Sequence, residues 1–91
     1  MEIKPGDIVY SIAGRDSGNY FVVVGVDGAF AYICDGRARK SDRPKKKKMK
    51  HLKSGFGHSE HIANKLVNGE KVTNVELRIE LNQYFEADSC N

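Results

Sequence analysis

"GDIVYSIAGRDSGNYFVVVGV", residues 6–26, sets two apolar, β-branched runs on either side of a loop punctuated by glycine. Ile8 to Ile12 and Tyr20 to Val24 have the length and composition of strands. Between them, Gly14-Arg15-Asp16-Ser17-Gly18 lacks the Lys-Ser/Thr ending of a nucleotide-binding P-loop, and no helical pattern follows it. The loop therefore reads first as a strand-to-strand turn, in which Gly14 and Gly18 supply positive φ or close backbone approach. Arg15 at its tip adds a second capacity, because a guanidinium donates two parallel hydrogen bonds to a phosphate.

Outward from this stretch the strand pattern continues. Asp27-Gly28 and Asp35-Gly36 are tight-turn dipeptides bracketing a third apolar run, Ala29 to Cys34. Arg37 to Arg43 is expected as a fourth, polar strand ended by Pro44, and Lys46 to Leu52 as a fifth, anchored by Met49 and Leu52. Short strands at this spacing predict a small antiparallel barrel. Ser54-Gly55-Phe56-Gly57 reads as a linker, dividing the chain into a barrel, residues 1–53, and a tail, residues 54–91. Within the tail, Ser59 is a candidate N-cap, Gly69 a candidate helix end, and Thr73-Asn74-Val75-Glu76 a capping box. Val75, Leu77, Ile79 and Leu81 alternate as a strand would, but Leu77, Leu81 and Phe85 also fit a helix, and the cap favours the helix. The tail is expected to dock on the barrel through Ile62, Leu66, Leu77, Leu81 and Phe85, since an exposed stripe of this kind invites association.

Composition narrows the function. The 91 residues, 40% hydrophobic and 30% charged, suit one small globular domain with an appendage, too small to shelter a deep substrate cleft. No apolar run has membrane-spanning length, the first residues do not form a signal peptide, and Cys34 and Cys90 are too few for a disulfide framework; a reducing cytoplasm is expected. The charge of +3 is unevenly spread: twelve Lys/Arg face six Asp/Glu through Lys53, a net of +6, and three face six beyond it, a net of −3. A basic module with an acidic tail points to a polyanionic partner for the first half. The run from Arg37 to Lys53 is too dense in like charge to read as a solvated face alone, and nucleic-acid phosphate relieves that repulsion. Tyr10, Tyr20 and Tyr32 are candidates for stacking on bases, with Phe21 and Phe30 assigned to the core. His58 and His61 are three apart and could share a helix face, yet no cysteine or histidine spacing makes a metal site. No nucleophile–base arrangement stands out, so neither an enzyme nor a bound cofactor is expected.

The residues that open this section resemble a KOW motif, the strand-loop-strand signature of many ribosomal and transcription-elongation proteins. Gly6 opens the motif, Ile8 and Val9 form its first strand, and Gly18 takes the loop glycine. "AYICDG", residues 31–36, followed by "RARKSDRPKKKKMKHLK", residues 37–53, is similar to the archaeal and eukaryotic large-subunit ribosomal protein family numbered fourteen and its short bacterial relatives. The resemblance implies an SH3-like barrel that binds RNA, ribosomal RNA above all, without catalysis. The expected RNA-contacting residues are Arg15, Ser17, Gly18, Asn19 and Tyr20 in the loop, with Arg37, Arg39, Lys40, Arg43, Lys45, Lys46, Lys47, Lys48, Lys50 and Lys53 along the basic segment. The rival expectation is a protein-interaction adaptor, since SH3-like barrels also bind peptides.

Overall fold

The computed structural model describes residues 3–89, with the side chains of residues 3–84. Five strands, β1 (Asp7–Ser11), β2 (Tyr20–Asp27), β3 (Phe30–Cys34), β4 (Lys45–Lys48) and β5 (Leu52–His58), are followed by α1 (Glu60–Val67) and α2 (Asn74–Ser89). The strands form one antiparallel sheet in the order β4-β3-β2-β1-β5. Only a 3₁₀ turn, Met49–His51, joins the two edge strands. Laid flat, five strands would separate those edges by about 19 Å. Four residue steps span at most about 14 Å, so the sheet must curl to bring β4 and β5 toward each other. It does not close: among the described residues no ladder joins β4 to β5. A mainly antiparallel-β fold with a helical extension is thus found, built on an open, curled sheet.

Period-two alternation along the strands gives each face its own core. Val9, Phe21, Val23, Ala31, Ile33 and Leu52 fill the concave side, with Ile3 and Met49 packed at its margin. Ile8, Val22 and Cys34 face the other way and meet Ile62, Val72, Leu77 and Leu81 from the tail, with Leu66 packed alongside. Ile62, Leu77 and Leu81 are wholly buried, which stabilises the docked tail by roughly 1.5–3 kcal/mol for each. The docking expectation therefore holds for four of its five residues; the side chain of Phe85 lies outside the described residues, as does Cys90. Phe30, expected in the core, is only half-buried, because β3 turns its residues 30 and 32 to the outer face beyond the helices' cover.

Both helix starts follow the sequence. Ser59 accepts a hydrogen bond from the Ile62 N–H, 3.1 Å. Thr73 Oγ1 accepts from the Glu76 N–H, and the Glu76 carboxylate accepts in return from the Thr73 N–H, 3.0 Å. The same carboxylate takes two hydrogen bonds from Lys65 Nζ and one contact from His61, so Glu76 fastens α1 to α2. Lys65 above all, then the Thr73 backbone, holds its carboxyl down at about 2.

Three expectations about local structure are corrected. Arg37 to Arg43 forms no strand. The Asp35 carboxylate accepts from the backbone N–H groups of Arg37 and Arg39, while the Asp35 and Gly36 N–H groups donate to the Arg39 carbonyl, closing the segment on itself. Gly36, at φ 76°, is pressed against the Asn74 carbonyl, where a Cβ has no room. Lys46 to Leu52 is not a single strand either: the chain turns at Met49–His51, and Leu52 begins a new strand opposite Ser11. The expected linker, Ser54-Gly55-Phe56-Gly57, is the body of that strand.

Candidate nucleic-acid interface

The loop between β1 and β2 is a built turn. Gly14 and Gly18 take φ of 78° and 90°, a region L side chains enter only with strain. The Ser17 N–H donates to the Gly14 carbonyl and the Gly18 N–H to the Ser11 carbonyl, 2.9 Å. Asp16 turns inward at the tip, leaving Arg15, Ser17 and Asn19 exposed.

Asp16 also decides where the basic segment lies. Its carboxylate accepts from Arg39 Nε at 3.2 Å and Nη2 at 3.4 Å, and lies 3.7 Å from Lys47 Nζ. Lys47 Nζ donates to the Ala13 carbonyl at 2.6 Å as well. One carboxylate and two cations thus bind the first loop to both the 35–44 loop and β4. Arg15 and the Arg37–Lys45 segment share one end of the sheet as a result. Two cations on one anion leave that end basic.

The remaining expected residues separate by environment. Lys47 is 8% exposed, with its charge spent on Asp16 and Ala13, and Arg39 is half-buried in the same cluster. Arg37, Lys40 and Arg43 are exposed, and Lys45 is half-buried at the start of β4. Lys46 points to the outer face, 4.7 Å from the Phe30 ring centroid and 3.7 Å from Asp27. Lys48, paired with Phe30, is exposed toward the far end of β4, and Lys50 and Lys53 are exposed on the connection and on β5. The basic residues run along β4, through its connection into β5, and around the end that holds the Arg15 loop.

Tyr10 and Tyr20 are not isolated stackers. Their ring centroids are 5.0 Å apart, and they join Phe56 and Tyr84 in one aromatic group drawn from β1, β2, β5 and α2. Sequence reasoning missed Phe56 because it lay in an apparent linker, and Tyr84 because it lay in the tail. Tyr32 sits apart, against Gly25 and near Lys46.

His58 and His61 each meet a carboxylate. His58 ends β5 and meets Asp7 at 2.7 Å, while His61 belongs to α1, so the two share no helix face. Among the described residues no group of three His, Cys, Asp or Glu side chains is placed to hold a metal ion. Burial, then the Asp35 charge, pushes the Cys34 thiol up to about 12, so it stays protonated in the core. No helix among the described residues is long and apolar enough to cross a membrane. No protein-family model matches the chain, and no curated protein matches it.

Proposed function

We propose that this protein binds structured RNA without catalysing a reaction, and that its target is ribosomal RNA of the large subunit in the cytoplasm. The observation that carries the proposal is the Arg39–Asp16–Lys47 cluster. It sets the exposed Arg15 loop and the basic 37–45 segment side by side as one basic surface, which supports reading that surface as the one that meets phosphate. Arg15, Lys40, Arg43, Lys46, Lys48, Lys50 and Lys53 are the phosphate-contacting set, while Lys47 and Arg39 position it. Such contacts orient the protein on RNA and supply salt-sensitive affinity, but read no sequence. The ribosomal target rests on the KOW resemblance alone. The curl imposed by the short β4–β5 connection supports reading the sheet as a partly open SH3-like barrel.

A lysine-rich edge strand also protects a sheet against edge-to-edge pairing. Protection alone does not call for Arg15, Lys40 and Arg43 on adjoining loops. A second reading, a protein adaptor, is favoured by Val75 and Ile79, exposed on α2 at a shallow depression of about 190 Å³ lined also by Arg37, Arg78 and Asn82. Sedimentation of cell lysate through a density gradient, with and without ribonuclease, followed by crosslinking, tests the two. Co-migration with large subunits that ribonuclease abolishes, with crosslinks at the 37–53 segment, supports RNA binding. Association that survives ribonuclease supports the adaptor.

A further inference from the structure

The β1–β5 ladder contains an irregularity that the phosphate-binding surface does not explain. Ile8 pairs with Gly57 and Tyr10 with Lys53, so Val9 alone stands opposite Ser54, Gly55 and Phe56. The two extra residues on this edge strand form a bulge, and a bulge re-aims the side chain it carries. Here it carries Phe56 out of both cores and over Tyr10 and Tyr20, with centroid separations of 6.0 and 5.3 Å. Phe56 as a residue stays 40% exposed.

The surroundings hold this ring and keep its approach open. Tyr84 Oη donates to the Phe56 carbonyl at 3.1 Å, fixing the bulge from α2. Tyr20 and Tyr84 also pack on the buried core behind it. Gly57 is needed for that bond, since a Cβ there would collide with the Tyr84 hydroxyl. On the other flank a Cβ on Gly55 would meet nothing within 4 Å. A ring left open on its Gly55 side, with an aromatic backing, is a preorganised stacking surface.

We propose that Phe56, backed by Tyr10 and Tyr20 and held in place through the Tyr84 hydroxyl, stacks one unpaired base of a bound RNA. The inference rests on the RNA-binding reading and names the kind of nucleotide that the protein selects. Charge complementarity identifies the occupant: Lys53 is the cross-strand partner of Tyr10, and Gly18 of the Arg15 loop lies beside the Tyr10 hydroxyl. The aromatic group therefore continues from the phosphate-facing surface. A paired base cannot present its face, so the nucleotide must come from a bulge, loop or end. Every base has such a face, and the selection is for unpaired structure rather than sequence.

The test compares an RNA hairpin carrying one bulged 2-aminopurine with the same hairpin fully paired. Wild-type protein should bind the bulged hairpin more tightly, with a change in 2-aminopurine emission. Phe56→Ala should lose that emission change and about tenfold of the preference, while remaining folded at the assay temperature by circular dichroism and keeping its affinity for the paired hairpin and its salt dependence. Phe56→Tyr should retain both. If Phe56→Ala keeps the preference and the emission change, the stacking assignment is wrong and the phosphate-binding surface stands. If wild-type protein binds neither hairpin, the RNA-binding reading itself falls, and the stacking site with it.

Discussion

Replacing Asp16 by asparagine separates two views of the basic end of the sheet, because they give opposite signs. On charge alone, removing an acidic group from a phosphate-binding surface should strengthen RNA binding. The structure makes Asp16 the tie between the Arg15 loop, Arg39 and Lys47, so its loss should weaken binding. Side-chain exposures of 11% for Asp16, 8% for Lys47 and 31% for Arg39 set the magnitude. Removing one member of a fully buried charge pair costs about 3–5 kcal/mol. Lys47 keeps its bond to the Ala13 carbonyl and Arg39 retains partial hydration, which lowers the expected cost to about 2–3 kcal/mol. For a domain of this size that is a fall in Tm of roughly 10–20 °C. Thermal melts by circular dichroism, and RNA titrations by fluorescence anisotropy below the melting range, measure both effects. An Asp16→Asn protein that melts within about 2 °C of wild type and binds RNA more tightly refutes the reasoning.

Three further outcomes are expected. Replacing Lys46 and Lys48 together by alanine should weaken binding to many RNAs and reduce the slope of log affinity against log salt by about one for each phosphate the variant no longer neutralises; an unchanged slope leaves β4 as edge protection only. Gly18→Val should lower Tm because φ of 90° strains a β-branched residue, whereas Arg15→Ala should leave Tm unchanged and weaken RNA binding; normal folding of the first and normal binding by the second contradict both roles of the loop. Glu76, lowered from 4.5 to about 2, should stabilise the folded chain fully above the ordinary carboxylate range and lose that contribution as pH falls toward 2. Acid melts of Glu76→Gln should therefore differ from wild type at pH 6 and converge with it near pH 2; a constant difference across that range removes Glu76 from the α1–α2 junction.

The parts of the fold legible in sequence were those set by local chemistry. The Asp27-Gly28 turn, the β-branched runs, the Ser59 cap and the Thr73–Glu76 box each act within a few residues, and each appears in place. What misled was mostly long-range. Arg37 to Arg43 has strand-compatible spacing, but the neighbouring Asp35 carboxylate caps its start, a local signal that sequence reasoning missed. Asn74 at the N-terminus of α2 takes the Ser41 N–H and holds the segment as a loop. Ser54 to Gly57 has linker composition, and only its position opposite β1, with Tyr84 over Gly57, makes it a strand. The same error hid Phe56. A glycine on either side of an aromatic residue removes the alternation that marks a strand, yet those glycines admit Tyr84 on one side and open space on the other.

The lysine run shows why charge density alone does not define a site. Lys45 to Lys48 are chemically identical neighbours in one strand, and the pleat gives them different partners. Lys47 faces inward to Asp16 and Ala13, and Lys46 outward over Phe30 near Asp27. Lys48 stands exposed opposite Phe30, while Lys45 is half-covered opposite Ile33. Alanine at Lys47 should therefore loosen the Arg15 loop and lower Tm, whereas alanine at Lys48 should act on RNA affinity without a comparable loss of stability. A scan that scored only RNA binding would merge these effects. Measuring Tm on the same preparations distinguishes a lysine that touches phosphate from one that holds the surface in shape.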